Sequence, residues 1–227
     1  MRGYFIIFPH AGAIRSGYSE IEGSVSQKHD VLYVDYGQHI IHSNICFDCF
    51  LDSIWHELKR AIVRKNAEIF LFGHSMGSCV LQALESKLAS HYFVEHICHS
   101  DGDTIDAVTD TGLRYKTVFE QQTILESDYD IPNEIRSNGV LLKHFETILI
   151  RDLLLLDTIP AYVKQYGVPR SISDNTDYII ALSDYMDYKR SVADWERRCP
   201  SLPSENLIKI DGGHYSILSD LLRFVLI

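Results

Sequence analysis

The run Glu68-Ile69-Phe70-Leu71-Phe72-Gly73-His74-Ser75-Met76-Gly77-Ser78 constrains the fold more than any other stretch of the chain. An apolar segment of strand length enters G-x-S-x-G, and a helical stripe of Val80, Ala83, Leu84 and Leu88 leaves it. Strand, sharp turn and helix together are the setting in which this short motif becomes a nucleophile elbow. At such a turn a Cβ at Gly73 or Gly77 would crowd the neighbouring backbone. Ser75 then stands at the tip with its Oγ exposed. The next amide, on Met76, faces an attacked carbonyl oxygen at the helix N-terminus, where unpaired N–H groups favour negative charge.

A buried central strand needs others beside it. Short apolar runs at residues 4–8, 31–36, 93–98, 178–182 and 207–210 read as those strands. Ahead of the elbow, Ile45, Leu51, Ile54, Leu58 and Ile62 recur at helical intervals, while Asp52, Glu57, Lys59 and Arg60 supply a wet face. A short helix fits residues 18–21, and residues 218–227 read as a terminal helix packed on the sheet. Alternating strands and helices favour a mostly parallel sheet covered on both faces. With 227 residues, 46% of them hydrophobic, the chain is expected to be one α/β domain spanning 1–227.

Residues from about 115 to 166 break that alternation. Leu141, Leu142, Phe145, Ile148 and Leu149 form a broad apolar helical face, which Leu153 to Leu156 continue. The stretch is too long for one crossover and too apolar to stand alone in water. It is expected to be an inserted helical lid sheltering an acyl pocket, rather than an ordinary pair of crossover helices.

Composition narrows the partners. A formal net charge of −10 argues against a surface for nucleic-acid phosphates. No stretch approaches about 18 uninterrupted apolar residues, so no membrane span is expected. The apolar N-terminal run is short and lacks a cleavage-like region, so it reads as a first strand and not as a signal peptide. Five cysteines, an odd number without an export signal, fit a reducing cytoplasm. Cys46 and Cys49 form a lone C-x-x-C inside a helical pattern and read as structural. His91, His96 and His99 are close in sequence, but a strand sends alternate residues to opposite faces, so they are not read as a metal set.

Three polar groups follow successive sheet elements in the order Ser, Asp, His, which is the order of the α/β-hydrolase arrangement. His214, reached through Asp211-Gly212-Gly213 after the last strand, is the expected general base for Ser75. The orienting acid lies in the loop after the fifth strand, where either Asp184 or Asp187 can reach the other imidazole nitrogen. Asp211 is nearly adjacent to His214 and would need a local turn. The small-residue turn His10-Ala11-Gly12-Ala13 after the first strand is the expected source of a second oxyanion donor, the Ala11 N–H. His10 is expected to brace that loop or merely decorate it.

Taken together, these stretches resemble the type II thioesterases, the stand-alone editing enzymes of polyketide and non-ribosomal peptide synthesis. The resemblance is carried by Phe8-Pro9-His10-Ala11-Gly12, by Phe72-Gly73-His74-Ser75-Met76-Gly77, by Arg151-Asp152 followed by Tyr162, and by Gly212-Gly213-His214-Tyr215. It spans nearly the whole chain. Three departures stand out: Ala13 occupies a position where glycine is common, Asp184 replaces a small residue, and no proline follows Ile97. The family pattern implies Ser75 as nucleophile, His214 as base and Asp187 as acid, with Asp184 the alternative. Ala11 and Met76 would supply the backbone oxyanion hole. It also implies an acyl or aminoacyl thioester on an acyl or peptidyl carrier protein as substrate. No metal or dissociable cofactor is implied, since phosphopantetheine is carried by the partner. An acyl-CoA thioesterase or a small-molecule carboxylesterase could use the same triad.

Overall fold

Strands buried on both faces must be apolar in both of their alternating registers, and two neighbouring inner strands of this chain are. A computed structural model of the chain describes residues 2–40, 45–128, 131, 133–169, 175–181, 192–197, 199 and 206–211. Its strands are β1 (Gly3–Phe8), β2 (His29–Tyr33), β3 (Glu68–His74), β4 (Phe93–Ser100), β5 (Thr176–Ala181) and β6 (Leu207–Ile210). They form one sheet in the order β2-β1-β3-β4-β5-β6, and all five neighbouring pairs are parallel. Tyr4, Ile6 and Phe8 of β1 share one face with Ile69 and Leu71 of β3. Phe5, Ile7 and Phe72 point to the other.

Helices cover both faces. The first, α1 (Ser19–Val25), packs Ile21 and Val25 on the Phe5 side. On the Tyr4 side lie α2 (Phe47–Ala61), with Phe50, Ile54 and Leu58 turned inward, and α3 (Met76–Ala89). The second strand ends three residues before its apolar run does. Asp35 accepts the Gly37 N–H at 2.9 Å and turns the chain into a 3-10 turn at Tyr36–Gln38, so local side-chain chemistry overrides strand propensity. Because β1 pairs with β2 on one side and β3 on the other, the chain reverses its direction of winding between β1 and β3. Open α/β sheets bind ligands in the crevice beyond the carboxyl ends of such strands. The fold is that of an α/β-hydrolase with helical insertions.

The longest excursion lies between β4 and β5 and holds α4 (Val118–Asp128), α5 (Asn133–Arg136), α6 (Gly139–Leu156) and α7 (Ile159–Tyr166). Asn138 starts α6 by accepting the Val140 and Leu141 N–H groups at 3.1 and 3.2 Å. Leu113, Leu125, Ile131, Phe145, Leu149 and Leu153 make a small core of their own, against which Ala11 also packs. Leu155 and Ile159 instead join the sheet-side core of α2 and α3. The excursion therefore covers the loop after β1 with one end and docks on the α/β body with the other. The expected terminal helix at 218–227 lies outside the described residues. No helix among the described residues is long and apolar enough to cross a membrane.

Candidate active site

Ser75 has φ 53° and ψ −118°. Only one other described non-glycine residue, Asp101 at φ 45°, lies at positive φ. Such a conformation costs about 1–3 kcal/mol and persists only where its surroundings enforce it. They do so here. The Ser75 N–H donates to the Ser100 carbonyl at 2.8 Å, and the Ser78 N–H donates back to the Ser75 carbonyl at 2.9 Å. A Cβ on Gly73 would stand 2.7 Å from the Gly77 carbonyl oxygen. Ser75 remains partly exposed between the buried residues His74 and Met76. Met76 opens α3, so its N–H belongs to the first turn, where no intrahelical acceptor exists.

Across the crevice, the loop after β1 forms a turn closed by the Ala13 N–H to the His10 carbonyl at 3.2 Å, with Gly12 at φ 77°. A negative φ at Ala11 followed by a positive φ at Gly12 is the pattern of a type II turn. His10 braces it. Its N–H donates to the Tyr18 hydroxyl at 3.0 Å, its Nδ1 lies 2.8 Å from the same oxygen, and its ring meets His74 edge-on. The Gly12 N–H donates to Oδ2 of Asp152, a buried residue of α6, at 2.9 Å. The other carboxylate oxygen, Oδ1, takes Arg151 Nε at 2.9 Å and Nη2 at 2.7 Å. Burial pushes the Asp152 carboxyl above the usual carboxylate range, opposed by Arg151 and the Gly12 N–H and assisted by the charge of Asp35.

His214, Asp184 and Asp187 lie outside the described residues. Because the strands run parallel, the chain leaves Ala181 and Asp211 at the same sheet edge as Ser75. Asp211 is exposed there, at the end of β6. Asp101 follows β4 at that edge, its N–H donating to the Ile179 carbonyl at 2.7 Å. A carboxylate in the loop after a strand is the signal that points to Asp184 and Asp187 alike, and the same signal was available for Asp101.

Sequence reasoning also passes over a second constellation. Ser78, His99 and Glu85 form a hydrogen-bonded triad in the hydroxyl–imidazole–carboxylate order of a serine hydrolase. Ser78 Oγ lies 2.8 Å from His99 Nδ1, and His99 Nε2 lies 2.6 Å from Glu85 Oε1. All three side chains are at most 1% exposed. Gly102 roofs them so closely that a Cβ there would meet Ser78 Cβ at 2.3 Å, and the His99 ring is flanked by Tyr178 and Trp195. Gln82, between them on α3, donates to the Asp103 carbonyl at 3.0 Å and accepts the Ile105 N–H at 2.9 Å. Trp195, in the 192–197 helix, donates to the Gly102 carbonyl at 2.9 Å. The network thus clamps the elbow helix to the loop after β4. Ser78, Gln82 and Glu85 sit at i, i+4 and i+7, a polar stripe on a helix that is otherwise apolar on its buried side.

The remaining histidines of the cluster do other work: His96 pairs with Asp177 at 3.0 Å, and His91 Nδ1 lies 2.9 Å from the Lys87 carbonyl. Cys46 stands just before α2 and Cys49 in its first turn, and among the described residues no two cysteines form a disulfide. A cavity of about 250 Å³ opens between α2 and α7, lined in part by Phe47, Arg114, Tyr162 and Tyr166; Ser75, Ala11 and Met76 are not among its walls.

No protein-family model matches the sequence, and no curated protein does. Solved structures match over almost the whole chain. A mutant form of YbtT, a type II thioesterase from the yersiniabactin NRPS/PKS biosynthetic pathway, superposes with a TM-score of 0.72 at 16% identity, covering 99% of this chain and 90% of that one. The RedJ thioesterase from the prodiginine biosynthetic pathway of Streptomyces coelicolor gives 0.69 at 14% identity, covering 97% and 89%. A lipase-esterase related protein from Clostridium acetobutylicum gives 0.64 at 15% identity, covering 98% and 94%. At these identities the shared property is the fold.

Proposed function

We propose that this chain is a serine thioesterase that hydrolyses aberrant or stalled acyl and aminoacyl groups from the phosphopantetheine arm of carrier proteins in polyketide or non-ribosomal peptide synthesis. The observation that carries the reading is Ser75, held at positive φ at the tip of an elbow whose His74 ring meets His10 of the Ala11 turn. The whole-chain likeness to thioesterases of such pathways supports the choice of substrate. His214 takes the Ser75 proton as Oγ attacks the thioester carbonyl, and the Ala11 and Met76 N–H groups receive the oxyanion. The C–S bond breaks, the pantetheine sulfur leaves with the proton from His214, and an acyl-Ser75 ester remains. His214 then deprotonates a water that attacks this ester. Collapse of the second tetrahedral intermediate releases the acid and returns the proton to Ser75 Oγ. Asp187 orients the imidazole throughout. The reading places the enzyme in the cytoplasm, consistent with five cysteines that form no disulfide among the described residues.

A generic esterase or acyl-CoA thioesterase is the second reading, favoured by the match to the lipase-esterase related protein. Hydrolysis of one acyl group should be measured on a carrier protein, on coenzyme A and on a simple ester. The editing reading expects kcat/KM to be highest on the carrier protein, by about tenfold or more, equivalent to about 1.4 kcal/mol of added transition-state binding. Preference for the coenzyme A thioester or the ester would replace it.

The acid has its own test. Asp187→Asn is expected to lower kcat by about a thousandfold or more, the scale seen when a triad acid no longer holds the imidazole tautomer. Asp184→Asn should lose far less. Asp101→Asn belongs in the same series because its strained backbone sits beside the elbow. The variant with the largest loss in kcat at unchanged melting temperature identifies the acid.

A further inference from the structure

We propose that Asp152 is a positioning residue: from the inserted helix α6 it sets the orientation of the oxyanion turn, so that the hole is complete only while the insertion is docked. The inference rests on the hydrolase reading above. Three residues of α6 at i, i+4 and i+7 converge on Gly12. A Cβ on that glycine would stand 3.2 Å from Leu149 Cβ and 3.3 Å from the Phe145 ring, and its N–H already donates to Asp152 Oδ2 at 2.9 Å. Phe145, Leu149 and Asp152 are all buried.

The division of labour within the carboxylate is what makes it more than a surface ion pair. Arg151 occupies Oδ1 with two N–H groups, leaving Oδ2 to the turn. In a type II turn the central peptide is flipped relative to type I, and here that peptide carries the Gly12 N–H. An acceptor fixed on α6 selects the flip. Because the Gly12 bond and the close packing of Leu149 and Phe145 tie the turn to α6, they fix where the preceding residue, Ala11, carries its own N–H relative to Ser75. Ala11 also packs into the core of the insertion, a second contact between the same two elements. Removing the acceptor loosens the turn from α6, with no change to Ser75 or its base.

The test uses the full-length chain and the variants D152A and D152N, with three measurements: kcat and KM for a thioester, affinity for an alkylboronic acid that forms a tetrahedral adduct on Ser75, and affinity for an unreactive amide analogue of the substrate. Removing an oxyanion donor costs about 10²–10³ in kcat. D152A is therefore expected to lose about a hundredfold in kcat and a similar factor in boronate affinity. KM and amide binding should stay within about threefold, because the ground state does not use the hole. Asn keeps a carbonyl oxygen for the Gly12 N–H, so D152N should recover about tenfold of what D152A loses. Should D152A not fold, D152N alone decides, with an expected parallel loss of about tenfold in kcat and boronate affinity at constant KM. Wild-type boronate affinity in either folded variant, or kcat losses that merely track melting temperature, would overturn the inference. Turnover that persists in S75A would remove the hydrolase reading and this inference with it; turnover that needs Ser75 yet ignores both Asp152 variants removes this inference alone.

Discussion

Ser75→Ala is expected to lower kcat at least about ten-thousandfold, because loss of a serine nucleophile leaves only the catalysis supplied by the oxyanion hole and binding. Its melting temperature should stay within a few degrees of the wild type, since a partly exposed hydroxyl is removed and the elbow is enforced by its backbone contacts. Ser78→Ala should show the reverse. Its Oγ partners a buried imidazole, and leaving that nitrogen unsatisfied costs about 1–3 kcal/mol. At about 2–4 °C per kcal/mol for a chain of this size, melting should fall by roughly 2–12 °C. Turnover of S78A should remain within about tenfold, because the substrate never meets a hydroxyl sealed under Gly102. The proposed nucleophile Ser75 and the buried Ser78–His99–Glu85 network are thereby separated by experiment. A catalytic collapse in S78A with S75A active would move the nucleophile to Ser78, served by His99 and Glu85, and would require the 101–105 loop to open for every turnover.

Much of this arrangement is legible in the sequence because the relevant forces are local. The elbow depends on two glycines, one serine and an apolar run, all within eleven residues. The parallel sheet follows from strands that are apolar in both registers, as Ile69 and Leu71 on one side and Phe70 and Phe72 on the other demonstrate. The turn at Ala11 is announced by small residues, and the structure adds the conformation that makes Gly12 necessary.

Pairings between distant elements were harder to read. Asp152 is one of many charged residues in its stretch, and nothing near it in sequence reveals that its acceptor face meets Gly12, 140 positions away. His99 alternates with its strand neighbours as any core residue would, and only the fold sets it against Ser78 and Glu85. The early end of β2 has a different cause. Asp35 can satisfy backbone donors by itself, and that local hydrogen bond competes with an apolar pattern that favours extension.

Gly77→Ala is expected to be the most disruptive single methyl that can be added near the site. The new Cβ would lie 1.9 Å from the Phe8 carbonyl oxygen and 2.7 Å from that of Pro9. Both obstacles are backbone, so no rotamer change relieves them. Either α3 must withdraw from the end of β1 or the turn carrying Ala11 must move. Forcing atoms into a packed region costs about 1–3 kcal/mol even where side chains can adjust, so a loss of about 3 kcal/mol or more is expected here. That corresponds to a fall in melting temperature of about 6–12 °C. The kinetic consequence should be larger than the fall in stability suggests. Both expected oxyanion donors sit on the elements being pushed apart, Met76 on α3 and Ala11 beyond Phe8 and Pro9. At temperatures where G77A remains folded, kcat should fall by at least about a hundredfold, as it does when one oxyanion donor is lost. Boronate affinity should fall with it. Destabilisation without any such loss would mean that the two elements separate without disturbing the hole, and the oxyanion donors would then have to be sought elsewhere on the sheet edge.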